Sequence, residues 1–175
     1  MQINVNELKN EPDGKMSFEW EIQPPADFED KLKNIVVSFS ASYADESVLI
    51  KGTLTMKYYA MCSRCLRNIQ VDIQENFEEE FKRGVPPEPQ EPEIVLEKED
   101  LSVDYFTGNC LELGDYFRQV TILSVPEKVL CHEDCPGLCP SCGKDLSVSS
   151  CKCQGESIDP RLKELEKFKE IINEN

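Results

Sequence analysis

Histidine is nearly absent: His132 is the only one in 175 residues. A chain so poor in imidazole has no histidine metal cage and no paired-histidine acid–base machinery. Positive charge is also scarce, with 19 Lys and Arg against 34 Asp and Glu, a formal net charge of −15. Such a surface repels phosphate backbones, so its natural partner is a basic protein, and any RNA contact must come from a local basic patch. No apolar run approaches the roughly 20 residues that span a bilayer. The start, Met1-Gln-Ile-Asn-Val-Asn, has no basic residue and no signal-length apolar stretch, and Glu7 and Glu11 do not suit a transit peptide. The expected location is cytoplasmic. No Ser/His/Asp set and no phosphate-cradling glycine loop occurs, so neither an enzyme nor a small-molecule substrate is expected.

Cysteine is what the chain has in excess. Six of its nine cysteines fall in one run: Cys131, Cys135, Cys139, Cys142, Cys151 and Cys153. Two more form Cys62-Ser-Arg-Cys65 far upstream. Pairs separated by one to three residues let thiolates reach one small cation from a tight turn. Gly143, directly after Cys142, tolerates the positive φ that such a knuckle needs. Pro136-Gly137 and Pro140 add turn chemistry around the other ligands. A disulfide framework would need an oxidising compartment, and a thioredoxin-like pair at Cys62–Cys65 would open a helix, whereas this pair lies between two strand-like segments. A structural metal is the favoured reading.

Setting Cys110 aside leaves eight thiols, enough for two four-thiolate sites. The simplest partition closes one site locally from Cys139, Cys142, Cys151 and Cys153. The other joins Cys62 and Cys65 to Cys131 and Cys135. His132 is an alternative ligand in place of one thiolate, though beside Glu133 and Asp134 it reads better as a solvated loop residue. Cys110 opens an apolar-periodic segment and is expected to be a small buried residue. Zinc, one ion or two, is the expected cofactor, in a closed structural role that contributes directly to folding.

The upstream half reads as antiparallel β. Phe18, Trp20 and Ile22 share one face of a strand over 16–22, and 35–41 is β-branched and apolar. From Ser47 to Tyr59, Val48, Ile50, Leu54, Met56 and Tyr58 lie on one side, with Gly52 among them as a candidate bulge or bend. Ile69, Val71, Ile73 and Phe77 continue the period of two after the Cys62–Cys65 knuckle, which therefore sits at a hairpin tip. Residues 84–100 form an acidic, Pro-rich loop with a short strand at 94–96. Leu111, Leu113, Tyr116, Phe117, Val120 and Leu123 predict a helix. Asp159 and Pro160 open a last helix striped by Leu162, Leu165, Phe168 and Ile172. The expected fold is α+β: an antiparallel β barrel or sandwich with a zinc-ribbon-like C-terminal segment and a terminal helix. In this division 1–83 is the β region, 84–100 the loop, and 101–175 the helix, metal module and closing helix, packed with 1–83 as one domain.

The order Cys62-x-x-Cys65, then Leu130-Cys131-x-x-x-Cys135-x-Gly137-Leu138-Cys139-Pro140-x-Cys142-Gly143-x-Asp145-Leu146, then Cys151-x-Cys153 and Ile158-Asp159-Pro160-Arg161 resembles the bacterial YceD family of large ribosomal RNA subunit accumulation proteins. The resemblance covers nearly the whole chain, and its Gly-Leu-Cys-Pro-x-Cys-Gly run is highly specific. Family members commonly have Asn where Leu146-Ser147 stands here. Some keep the first Cys-x-x-Cys without the Gly-Leu-Cys-Pro run, which implies that Cys62 and Cys65 belong to a different site from Cys139 and Cys142. The resemblance implies a non-enzymatic role in synthesis, processing or accumulation of large-subunit ribosomal RNA. Two modes follow. One is an acidic adaptor for a basic ribosomal protein or ribosome-assembly factor. The other is an RNA-binding zinc module with Arg64, Arg67, Lys144, Lys152 and Arg161 as its basic face.

Overall fold

The structure, a computed structural model, describes residues 1–86 and 103–153. The expected strand at 94–96, most of the acidic loop and the helix opening at Asp159 lie outside them. The chain divides into two compact units. A β unit comprises Met1–Met61 and Asn68–Val129, and a cysteine unit comprises Cys62–Arg67 with the residues from Leu130 onward.

The β unit is mostly sheet with few helices. In chain order its elements are β1 (Gln2–Asn4), α1 (Val5–Asn10), β2 (Lys15–Ile22), β3 (Leu32–Ala44), β4 (Ser47–Met61), β5 (Asn68–Arg83), β6 (Val103–Phe106), β7 (Cys110–Glu112) and α2 (Gly114–Leu123). The main sheet runs β2-β3-β4-β5-β6. Its first four strands are antiparallel, as the alternating pattern predicts, and β6 joins β5 in parallel. No ladder joins β2 to β6 among the described residues, so the sheet is open, and of the barrel or sandwich expected the barrel is not closed.

The period of two fixes which side is covered. Ile35, Val37, Phe39 and Ala41 of β3 are buried together with Val48, Ile50, Leu54 and Met56 of β4. A two-residue turn at Asp45-Glu46, with φ of 46° and 61°, pins their register in the hairpin geometry that matches strand twist. The irregularity in this sheet lies between Lys33 and Val36, where Asn34 takes φ 53°, rather than at Gly52. Gly52 instead stays in regular register between Phe39 and Phe77. Phe117 of α2 lies against both rings, at centroid distances of 5.1 Å and 5.5 Å, and against Trp20 at 6.0 Å. Such tilted and edge-on aromatic pairs stabilise beyond their area burial.

Three expectations are corrected. Leu111 belongs to a strand: β7 pairs antiparallel with β1, placing Leu111 opposite Ile3. Leu111 and Leu113 are two apart, a spacing that also suits a strand, and Gly114 is the first residue of the helix rather than a weakness inside it. Cys110 is exposed, because its alternate position in β7 points away from the core that holds Leu111. Leu123, read as part of the helix's apolar stripe, is 84% exposed. Short α1 was not foreseen. Asn4 caps it by accepting from the Asn6 N–H at 3.0 Å, and it buries Val5 and Leu8 completely. Among the described residues no helix is long and apolar enough to cross a membrane.

One acidic group sits half-buried on the core-facing side of the sheet. Glu79 occupies an inward position of β5, paired with Ile50, and its pKa is raised by burial and then by the charge of Asp104. A carboxyl whose folded pKa is raised stabilises the fold only while protonated, and that contribution is lost as pH rises through the folded value. Glu79→Gln is therefore expected to raise the melting temperature at neutral pH. The gain should shrink as pH falls into the carboxylate range, where the parent residue is itself neutral. Thermal unfolding followed at several pH values checks this; a gain that persists undiminished in acid refutes it.

Candidate metal centres

Eight cysteines gather into two groups within the cysteine unit. One holds Cys62, Cys65, Cys131 and Cys135, the other Cys139, Cys142, Cys151 and Cys153, and in each group the four sulfurs lie within 4.8 Å of one another. These are the two sets of the simplest partition from sequence.

Two knuckles of matching hydrogen-bond pattern build the groups. In the first, the Cys62 N–H donates to Arg67 O at 2.8 Å and the Leu66 N–H to Cys62 O at 2.9 Å. In the second, the Cys139 N–H donates to Lys144 O at 2.8 Å and the Gly143 N–H to Cys139 O at 2.8 Å. The residue after the second cysteine is left-handed in both, Leu66 at φ 61° and Gly143 at φ 71°. Leucine thus fills a place where glycine costs least, and its side chain is 57% exposed. Cys131 and Cys135 arrive on a different turn, closed by the Cys135 N–H donating to His132 O at 3.1 Å. Gly137, at φ 74°, allows this segment to approach the first knuckle: a Cβ there would lie 3.0 Å from Arg64 O.

The spacing suits metal. A tetrahedral cation with bonds of about 2.3 Å to sulfur holds its ligands roughly 3.8 Å apart. The sulfurs of Cys62 and Cys135 are 3.8 Å apart, those of Cys65 and Cys131 3.7 Å, and those of Cys139 and Cys151 3.4 Å. All exceed a disulfide bond of about 2.05 Å. Electrostatics prepares two thiols in the first group, Cys65 being lowered chiefly by the Arg67 guanidinium, and one in the second. The Cys65 backbone N–H, followed by those of Arg64 and Cys131, brings Cys62 down to about 5. The N–H groups of Cys142 and Ser141 bring Cys139 down to about 6. Others resist ionisation: burial and neighbouring sulfurs push Cys131 up to about 12, and a hydrogen bond with Cys142, followed by burial, takes Cys153 up to about 12. Four thiolates cannot gather without a cation to balance them, so the donor set is one that a soft metal completes.

The groups differ in access. Cys62, Cys65 and Cys135 are buried, whereas Cys142 and Cys153 are exposed. His132 Nδ1 stands 3.1 Å from Cys131 Sγ, outside the four-sulfur cluster. Cys110 belongs to neither group. Two residues proposed from sequence as an RNA-facing surface are engaged internally. Arg64 donates to Glu133 O at 3.0 Å and Cys135 O at 2.9 Å. Arg67 donates through Nε to Cys65 Sγ at 3.3 Å and through Nη2 to Cys131 Sγ at 3.6 Å, and pairs with Asp145. Apart from the local Arg67–Cys65 contact, spacing alone carries no signal for these bonds, since the other hydrogen-bond partners are more than 60 residues away in sequence.

Comparison with known families matches residues 50–169 to the family described as large ribosomal RNA subunit accumulation protein YceD. The chain belongs to the YceD family. Within that match lie all eight clustered cysteines, together with Arg67 and Asp145. An uncharacterized protein of Mycobacterium tuberculosis is 32% identical over 120 residues, 69% of this chain and 55% of its own length. An uncharacterized protein of Mycobacterium leprae is 29% identical over 103 residues, 59% of this chain and 45% of its own length. The chain thus spans about half the length of these curated relatives. No solved structure matches it.

Proposed function

We propose that this YceD-family chain is a non-enzymatic factor in the synthesis, processing or accumulation of large-subunit ribosomal RNA, working in the cytoplasm. The family match over residues 50–169 is the observation that carries this reading. Zinc is the metal that four thiolates at tetrahedral spacing favour, one ion in each group. Cys62, Cys65, Cys131 and Cys135 hold one, and Cys139, Cys142, Cys151 and Cys153 the other. Its role is to fold the cysteine unit, with no open coordination position for chemistry.

The mode we favour is an acidic adaptor for a basic ribosomal protein or ribosome-assembly factor. The net charge of −15 supports it. The engagement of Arg64 and Arg67 weakens the alternative, direct RNA binding by the metal module, because their guanidinium groups already have partners. Pull-down from nuclease-treated bacterial lysate at physiological salt is expected to retrieve a basic large-subunit protein or an assembly factor. Retrieval that requires intact RNA, with affinity reduced by charge reversal at Lys144 and Lys152, would replace the adaptor with the RNA-binding mode.

A further inference from the structure

We propose that Arg67 and Asp145 couple the two metal sites, so that a filled Cys139 site strengthens metal retention at the Cys62 site. The proposal rests on the metal reading above and adds an energetic link between two centres that share no ligand.

Arg67 is placed to act on the Cys62 site as a whole. Its guanidinium reaches Cys65 Sγ and Cys131 Sγ, ligands supplied by segments 66 residues apart. Four thiolates around a divalent cation leave a net charge of about −2, and a guanidinium hydrogen-bonded to two of the sulfurs offsets part of it. The same Nε lies 3.4 Å from Asp145 Oδ2. The Nε hydrogen goes to Cys65 Sγ, and the carboxylate pairs with the guanidinium by charge, holding it beside the sulfurs.

Asp145, in turn, is held by the other site. The backbone O of its neighbour Lys144 accepts from the Cys139 N–H at 2.8 Å, closing the second knuckle. Its own Oδ1 accepts from the Ser147 N–H at 2.8 Å, and its backbone O accepts from Val148 at 3.3 Å and Ser149 at 3.2 Å. That turn leads from Cys142 to Cys151, two ligands of one group. Metal at the Cys139 site draws both ends of the turn together and fixes Asp145. Fixed Asp145 orients Arg67, and oriented Arg67 stabilises the thiolates of the Cys62 site. Outer-shell partners of this kind are typically worth about 10–100-fold in metal affinity. The coupling is reciprocal, so filling the Cys62 site strengthens the Cys139 site by the same factor in affinity.

The test uses the full metal-loaded chain, challenged with excess chromophoric chelator in a stopped-flow instrument, with metal content measured first. Cys142→Ser empties the Cys139 site and leaves only the Cys62 release phase, which the coupling requires to run faster than in the parent chain. Arg67→Gln is expected to speed that phase about 10-fold or more. Asp145→Asn keeps the Oδ1 acceptor for Ser147 and removes only the charge; it is expected to speed the same phase comparably, with the double variant no faster than Arg67→Gln alone. In the Cys142→Ser background Asp145→Asn should add little. Arg67→Lys should also release quickly, because a single ammonium nitrogen does not reproduce the planar fork whose Nε and Nη2 meet the two sulfurs separately. If Asp145→Asn leaves the Cys62 phase unchanged or slows it, or if the two variants multiply independently, the coupling is refuted while the metal sites stand. A parent chain with fewer than two ions removes the metal reading, and the coupling with it.

Discussion

Cys62→Ser is expected to bind one metal ion where two are expected in the parent chain, and to unfold much of the cysteine unit. Cys62 is fully buried, its sulfur accepts the Cys131 N–H at 3.4 Å, and it lies 3.8 Å from Cys135 Sγ. A serine hydroxyl stays protonated at neutral pH and is a poor ligand for a soft cation. Metal binding in small thiolate domains is folding free energy, about 10–16 kcal/mol in apparent terms for zinc-finger peptides. Losing one buried ligand removes a large share of that. By contrast, the sheet's apolar core lies wholly within the other unit and should persist. Elemental mass spectrometry with a thiol count reads the stoichiometry. Hydrogen exchange reads the damage, which should be confined to 62–67 and residues from Leu130 onward. Acid should have the same effect on the parent chain, since falling pH returns protons to the sulfurs and expels the metal. Two ions and unchanged exchange in Cys62→Ser would refute the ligand assignment.

How much of this was legible beforehand depends on the range of the interactions concerned. The long strands were legible because alternation is a local property: Ile35, Val37, Phe39 and Ala41 all turn inward as their spacing requires. The cysteine groups were legible because metal ligands come in closely spaced pairs, and counting eight thiols leaves few partitions. Short elements were not. The segment Cys110–Leu113 fits a strand or a helix start equally well, and only its pairing with Gln2–Asn4, over a hundred residues earlier, decides between them. The left-handed position of the first knuckle was hidden for a different reason. Gly143 announces itself, but Leu66 holds the equivalent φ with a residue that no turn rule would choose. The internal bonds of Arg64 and Arg67 were not legible because composition reports charge without reporting what it faces. Arg64 donates to backbone carbonyls of a distant segment, and Arg67 to one sulfur of its own knuckle and one of that segment.

Gly52→Ala is expected to cost the β unit about 3 kcal/mol or more, an effect at the upper end for overpacking by one methyl group. A Cβ built on Gly52 lies 2.4 Å from Phe39 Cβ, 2.4 Å from Ser38 O and 2.7 Å from Phe39 Cα. Two of these are backbone atoms of β3, so no rotamer change relieves the contact, and the strands must separate. Separation at this point carries further. Gly52 lies between Phe39 and Phe77 in the register, and Phe117 of α2 packs on both rings. The missing side chain lets the two aromatics crowd over the glycine and gives the helix its seat, a use of glycine in a strand interior that offsets its poor strand propensity. Thermal unfolding should show a melting temperature lower by roughly 10 °C, at about 2–4 °C per kcal/mol for a chain of this size. Thr53→Ala, one residue on and facing the other side of the sheet, should move it far less. Equal effects of the two substitutions would mean that the close approach of β3 to β4 is not what Gly52 provides.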